Sequence, residues 1–348
     1  MHNYFKNKKV FVTGHTGFVG AWLCLALKYF GADVTGFTLR EEPSSLYSKI
    51  KNGLKIHSVY GDLRDAEAVN NCYIANKPDI LFHIAAFGFV KECFDDPDRA
   101  FSSNVDGTLN LFQTIRNNSK ECRIVVASSD KVYCNSGREA YLFCEDDALG
   151  GTDPYSASKT CEDILARSFF DTYLKGRNTS LCILRPSNIL GGGDHNMNRL
   201  IPSIYYNMGL DKAPEIRNPN AVRPWQNIFD IVDAYLTVAE SFAEDERVYN
   251  VGPEPEGIKT VGEIAEYVSG LYGKNYSYEK GNDNNSIEKQ YLGLSIDKIK
   301  KELNWRPQRT LEQTLAEIYE FYTKDDGKNT YELCMSQIER YYNEYQEV

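Results

Sequence analysis

Short apolar, β-branched runs alternate with longer helical patterns through the first half of the chain. The runs are Lys9–Thr13, Asp33–Thr38, Ile56–Tyr60, Ile80–Ile84, Ile124–Ser128 and Leu181–Arg185. They are near-continuously apolar rather than alternating, which predicts strands buried on both faces. Between them lie helix-length segments such as Ala21–Phe30, Asn104–Asn117 and Ser156–Tyr173. Strand and helix in alternation predict an α/β fold, a doubly wound parallel sheet with helices on both faces.

After Arg185 the pattern changes. GGGDHNMNRLIP is Gly-rich and polar, and KAPEIRNPNAVRPW holds too many prolines for a sheet interior. Helical periodicity returns in Val261–Tyr272 and Ile296–Leu303, and the Tyr- and Glu-rich stretch Asp325–Val348 predicts an added helix. The expected division is a Rossmann-type sheet domain over 1–188, to which 227–250 returns, and a smaller C-terminal α/β lobe over 189–226 and 251–348; the motifs below make the first the dinucleotide-binding domain and the second the substrate lobe.

A chain of 348 residues buries roughly three quarters of its unfolded surface, enough for these two intimate units. A formal charge of −10 argues against a nucleic-acid surface, which needs a basic patch. The nine cysteines show no ligand spacing and several sit in apolar runs, so buried reduced thiols are expected and no metal. The start, MHNYFKNKKVFVTG, runs from a polar lead into a strand with no secretory signal, and no apolar run is long enough to cross a bilayer. No membrane partner and a cytoplasmic location are expected.

VFVTGHTGFVG, residues 10–20, reads as strand, tight turn and helix start. Gly14, Gly17 and Gly20 let the backbone approach a pyrophosphate at a helix N-terminus, the Rossmann arrangement for a dinucleotide. The second strand ends at Thr38 and Arg40 without the carboxylate that usually holds a ribose 2′-hydroxyl, so NAD and NADP both remain open, with NAD favoured. Asp62, ending the third strand, suits an acceptor for the adenine amino group or a helix N-cap.

PYSASK puts Tyr155 and Lys159 four apart at the start of a helix, facing one way. A nearby ammonium favours the tyrosinate, which can take a proton from a sugar hydroxyl as hydride leaves. An earlier strand ends in SSDKVY, where two hydroxyls, a carboxylate and an ammonium stand side by side at residues 128–131. A plain strand end explains the serines but not both charges.

Over about residues 8–322 the chain resembles the extended short-chain dehydrogenase/reductase family through TGHTGFVG, GDLRD, HIAA, NVDGT, SSDKVY, YSASK, RPSN, GGGD, RLIP, RPWQ, YNVG and LNWRP. Within it, GHTGF, LGGTDPYS, GGGD and RPWQ are most similar to nucleotide-sugar 4,6-dehydratases of the CDP-glucose branch. The resemblance implies a hydro-lyase of deoxysugar biosynthesis, in lipopolysaccharide or capsule. It would convert a nucleotide-diphosphate hexose, CDP-glucose first, to the 4-keto-6-deoxy sugar and water by internal hydride transfer.

By the same resemblance, Ser129 orients the sugar 4-hydroxyl with Tyr155, Asp130 is the acid, and Lys131 stands where most relatives have Glu. Asp130 and Lys131 as an ion pair would favour the wrong protonation states, a tension that burial of both relieves. Thr16, Phe18, Leu63, Ala85, Ala86 and Asn104 join Tyr155 and Lys159 as implied dinucleotide contacts. Asn188, Arg199 and Arg223 match diphosphate-contacting positions, and Arg217 falls in the segment expected along the base. His195 replaces a usual Trp after GGGD, and KECF replaces a usual Arg-x-Ser-Tyr run, which loosens the identity of sugar and base.

Two other readings compete. An epimerase or C4 oxidoreductase on a nucleotide sugar, one with a heptose included, needs Ser129, Tyr155 and Lys159 but not the acid–base pair. A catalytically dead dinucleotide sensor predicts a broken Tyr/Lys pair, and this pair is intact. Apolar residues beyond one core stripe, among them Leu109, Phe112, Ile164 and Phe169, predict a homodimer or higher oligomer.

Overall fold

The computed structural model describes residues 2–344 apart from 119–120, 138–139, 198, 217, 242, 244, 275–278 and 281–290. Strand β1 (Lys9–Thr13) turns into α1 (Phe18–Tyr29), followed by β2 (Asp33–Thr38), α2 (Leu46–Leu54), β3 (His57–Tyr60), α3 (Ala66–Asn76) and β4 (Ile80–His83). Two short helices, α4 (Val90–Asp95) and α5 (Pro97–Phe101), precede α6 (Gly107–Asn118), β5 (Cys122–Ala127), α7 (Pro154–Phe169) and β6 (Thr179–Pro186). The six expected strands are all present, within two residues at each end. Expected helix starts and ends shift more, because wide π turns at Ser102–Asp106 and Phe170–Leu174 lead into α6 and out of α7.

The remaining elements are β7 (Asn188–Leu190), α8 (Leu200–Gly209), β8 (Glu215–Ile216), β9 (Val222–Asn227), α9 (Ile228–Glu240), β10 (Arg247–Val251), β11 (Ile258–Thr260), α10 (Val261–Leu271), β12 (Glu279–Lys280), α11 (Asp297–Leu303), α12 (Leu311–Lys324) and α13 (Thr330–Glu344). The main sheet is seven-stranded in the order β10-β6-β5-β4-β1-β2-β3, with every pair parallel. Strand order reverses between β1 and β4, and a crevice at such a reversal is where open α/β sheets bind ligands. One face of the sheet packs against α1, α2, α9 and α13, and the other against α3, α6 and α7.

The second unit has its own apolar cluster, with Ile204, Tyr205, Trp225, Ile264, Val268 and Leu315 at its centre. Its sheet runs β11-β9-β7, so β9 is a central strand despite Pro224. The expectation that this segment avoids a sheet interior is therefore wrong. Strand β7 begins opposite Trp225, one residue past the proline, so Pro224 has a strand neighbour on one side only and its missing N–H is tolerated.

Three other expectations are also corrected. Phe112, expected on an outer face, is fully buried in the core beneath α6, while Ile164 on α7 is 52% exposed. Cys134, Cys144 and Cys161 are exposed rather than buried, because each falls on a loop or an outward helix face. The helix grouped with the substrate lobe, α13, instead packs on α1 and α2 and lends Cys334, Ile338, Tyr341 and Tyr342 to the core of the main sheet. Its apolar stripe is long enough to need a large partner face, and that face lies on the first unit. Among the described residues no helix is long and apolar enough to cross a membrane.

Candidate active site

The glycine turn sits at the strand-order reversal. Gly14 has φ +73° and its absent side chain matters: a Cβ there would lie 2.7 Å from the Ala85 Cα of the loop after β4. A Cβ on Gly20 would fall 2.2 Å from the Gly14 carbonyl oxygen, so helix and turn can close only around glycine. Gly17 is the N-cap of α1 and offers no side-chain cap, leaving the first amides and the positive helix end turned to the crevice. This open cradle fits a pyrophosphate. Phe18 is the first residue of α1, and Ala85 donates its N–H to Thr13 Oγ1 at 3.2 Å, which holds the facing loop.

Around it the other expected contacts fall into place unevenly. Thr16 Oγ1 meets Thr38 Oγ1 at 3.0 Å and donates to the Arg40 carbonyl at 2.8 Å, tying the turn to the end of β2. The Arg40 guanidinium pairs with Glu42 on the surface. Asp62 is bound by Arg64, whose guanidinium holds its carboxyl below the usual range, and Asp65 rather than Asp62 caps α3. Leu63 is half-buried against Gly107, and Ala86 is exposed at the crevice. Asn104 stands behind the loop: its amide accepts from Phe87 N–H at 2.7 Å and donates to the Phe87 carbonyl and to Ser158 Oγ at 2.9 Å. Its influence on the crevice runs through the Phe87 backbone.

His15, inside the turn, is fully buried with its ring edge-on to Tyr47, and burial pushes its pKa down to about 4. A Cβ on Gly36 would sit within 2.2 Å of that ring. The neutral imidazole thus packs directly on the backbone of β2.

At the end of β5 the four polar residues divide. Ser128 donates to Asp163 at 2.9 Å, and Asp163 is gripped by Arg185 through two bonds of 2.9 and 3.0 Å. Arg185 also donates to Tyr133 Oη, which donates to Asn250 Oδ1, so Ser128 belongs to a buried network joining β5, α7, β6 and β10. Ser129 caps a short turn at Asp130–Val132, accepting from Lys131 N–H and donating to Asp130 Oδ1 at 3.2 Å. Asp130 is 3% exposed, and Lys131 is half-buried.

Helix α7 starts where Asp153 accepts from Ser156 N–H at 3.0 Å, which places Tyr155 and Lys159 on its first two turns. The Lys159 ammonium is buried, donating to the Ala127 carbonyl and to Glu162 Oε2, both at 2.6 Å. Tyr155 is half-buried.

The end of β5 opens on a pocket whose walls include Asp130, Lys131, Tyr133, Asp153, Arg223 and Leu292. Arg223, on β9, is thus brought beside the residues that end β5. Arg199 stacks 4.9 Å over the Phe89 ring and pairs with Asp194 at 2.9 Å, and Asn188 opens β7, half-buried. Arg217 lies outside the described residues. His195 is half-buried near Lys49 and Tyr322, with burial pushing its pKa down. Among the described residues no group of three His, Cys, Asp or Glu side chains is arranged for a metal. Sequence reading missed Ser128, Asp163, Arg185 and Glu162; the buried charges within apolar patterns were the available signal.

A profile of the NAD dependent epimerase/dehydratase family matches residues 10–252. The CDP-glucose 4,6-dehydratase of Salmonella typhimurium is 35% identical over 332 residues, covering 92% of this chain and 92% of its own length. A dTDP-glucose 4,6-dehydratase of Shigella flexneri is 28% identical, covering 90% and 92%. Among solved structures, an epimerase from Methanothermobacter thermautotrophicus superposes with TM-score 0.81 at 22% identity, covering 96% of each chain. A dTDP-glucose 4,6-dehydratase from Bacillus anthracis in complex with NAD gives 0.77 at 24% identity, covering 91% and 97%.

Proposed function

The chain belongs to the NAD-dependent epimerase/dehydratase family, and within it we propose a nucleotide-sugar 4,6-dehydratase that converts CDP-glucose to its 4-keto-6-deoxy sugar and water. The observation that carries this reading is the pocket shared by Asp130, Lys131 and Arg223 beside the start of α7. The similarity to the Salmonella enzyme supports the base and the sugar.

Gly14, Gly17, Gly20 and the amides of α1 hold the NAD pyrophosphate, with Thr16, Phe18, Thr38, Asp62, Leu63, Ala85 and Ala86 around the rest. Glu41 and Glu42 follow Arg40, and the Arg40–Glu42 pair leaves that rim unsuited to a 2′-phosphate, favouring NAD over NADP. When bound, NAD supplies the acceptor and later the donor of a hydride. Tyr155, with the Lys159 ammonium one helical turn on, takes the proton of the sugar 4-hydroxyl, which Ser129 orients. The resulting C4 ketone acidifies C5. Lys131 removes the C5 proton while Asp130 protonates the departing C6 oxygen. Arg199, Arg223 and Asn188 bind the nucleotide diphosphate, and Arg217 belongs to the segment along the base. An epimerase would need Ser129, Tyr155 and Lys159 alone and leaves the buried Asp130 without a task.

The same reading places the enzyme in cytoplasmic deoxysugar synthesis for lipopolysaccharide or capsule, as a homodimer. Exposed Phe94, Phe101 and Ile164 on the adjoining helices α4, α5 and α7 support a paired face.

Turnover of CDP-glucose in heavy water tests the chemistry. Deuterium should enter at C5, and Asp130→Asn should slow dehydration roughly 10²–10⁴-fold with cofactor retained. Lys131→Ala should trap a 4-keto sugar with reduced cofactor. Wild-type rates in either variant would hand the site to the epimerase or C4-oxidoreductase reading.

A further inference from the structure

One buried charge beside the reacting groups has no task in this chemistry. Glu162 stands one turn beyond Lys159 on α7, with its side chain 1% exposed. Its Oε2 accepts the ammonium, while Oε1 is buried without a hydrogen-bond partner, 3.8 Å from Nε2 of His83.

His83 cannot neutralise it. Thr108 spends its hydroxyl proton on the Asn104 carbonyl at 2.6 Å, so the 2.8 Å contact with His83 is donated by Nε2–H. Nδ1 is then the acceptor for Thr13 Oγ1, also at 2.8 Å. The imidazole is fixed in one neutral tautomer, and burial with Lys159 nearby pushes its pKa down to about 3.

The other groups facing Glu162 are as fixed. Asp163 is matched by Arg185, and Tyr235 from α9 stays a neutral phenol, its pKa raised by burial and by Tyr155 and Glu162. Among the described residues Lys159 is thus the one cation in contact with Glu162, and burial still pushes the carboxyl up to about 7 against the pull of that ammonium. The carboxylate therefore offsets the charge that favours a Tyr155 tyrosinate.

We propose that Glu162 is a positioning residue that anchors the Lys159 ammonium against the end of β5 and, by offsetting its charge, sets the pH at which Tyr155 yields its proton. The inference rests on Tyr155 and Lys159 being the proton-transfer pair of the proposed dehydratase. Tyr155 and Glu162 are seven residues apart, two helical turns or about 10 Å, where a unit charge moves a pKa by roughly one unit.

The test needs no sugar, so it fails or succeeds separately from the dehydratase reading. Tyrosinate absorbance of the NAD-loaded protein is titrated, with Tyr155→Phe as the blank that isolates the Tyr155 signal. In Glu162→Gln that signal should rise about one pH unit lower than in wild type, a tenfold change in proton affinity. Glu162→Asp, which keeps the charge, should return it towards wild type. Coincident titrations of wild type and Glu162→Gln overturn the proposal, as does an equal shift in Glu162→Asp, which would show packing alone. Should Glu162→Gln fail to fold, carbon-13 carboxyl NMR of wild-type protein substitutes. A Glu162 resonance whose titration is unaltered by Tyr155→Phe overturns the coupling, and one that moves upholds it.

Discussion

Arg223 is 6% exposed yet reaches the pocket of Asp130 and Lys131 from the central strand of the smaller sheet. In the proposed role its guanidinium would grip a diphosphate alike in ground and transition states, so Arg223→Ala should raise KM far more than it lowers kcat. Steady-state kinetics on CDP-glucose check this; a collapsed kcat with KM unchanged would place Arg223 against the reacting sugar instead. A second residue acts on stability alone. Burial by itself would lower the His2 pKa, but Asp233 and Glu240, each 2.9 Å from a ring nitrogen, outweigh it and raise it from 6.5 to about 9. A raised folded-state value stabilises fully below pH 6.5, and the contribution is lost as pH climbs through about 9. The full shift corresponds to roughly 3 kcal/mol. The difference in thermal unfolding between wild type and His2→Ala should therefore shrink from about pH 6 to about pH 10. A difference independent of pH would leave His2 a packing residue.

Elements carry function here by what they abut. The start of α1 is useful because Gly14 and Gly20 bring it within touching distance of β4's loop, and α7 because Asp153 sets its first residue. Helix α13 braces the opposite end of α1 and the neighbouring α9. It stacks Tyr342 on Tyr29, the last residue of α1, and ties Tyr341 Oη to Asp230 of α9 at 2.7 Å. Ile338, 1% exposed on this helix, should cost roughly 2–5 kcal/mol when cut to alanine. Chemical denaturation measures it; a loss below about 0.5 kcal/mol, the range of ordinary surface changes, would mean that the helix docks without contributing to the core.

At the scale of the molecule, each of the helices α4, α5 and α7 leaves a large apolar side chain outside the core. Ile164 is 52% exposed and Phe94 57%, on helices in mutual contact. Wild-type protein at micromolar concentration should scatter light as a dimer, and Ile164→Glu should weaken that dimer while leaving the circular dichroism unchanged. A monomeric wild type would remove the paired state. A variant that stays fully dimeric would move the interface to another face.

The parallel sheet, the glycine cradle and the Tyr155–Lys159 pair were legible in the chain because each follows from short-range rules. Buried strands need continuous apolar runs, a close turn needs glycine, and residues four apart share a helix face. The order of elements followed from their alternation. What only the tertiary structure decided depends on contacts distant in sequence. His2 meets Asp233 across 231 positions, and Ser128 reaches Asp163 across 35. Phe112 lies inward and Ile164 outward on helices of similar pattern, Pro224 sits in a central strand, and α13 crosses to the other unit. Local periodicity shows that a face is apolar or that a charge interrupts it. It does not show which distant surface covers that face or neutralises that charge, because burial and pairing are properties of the assembled layers.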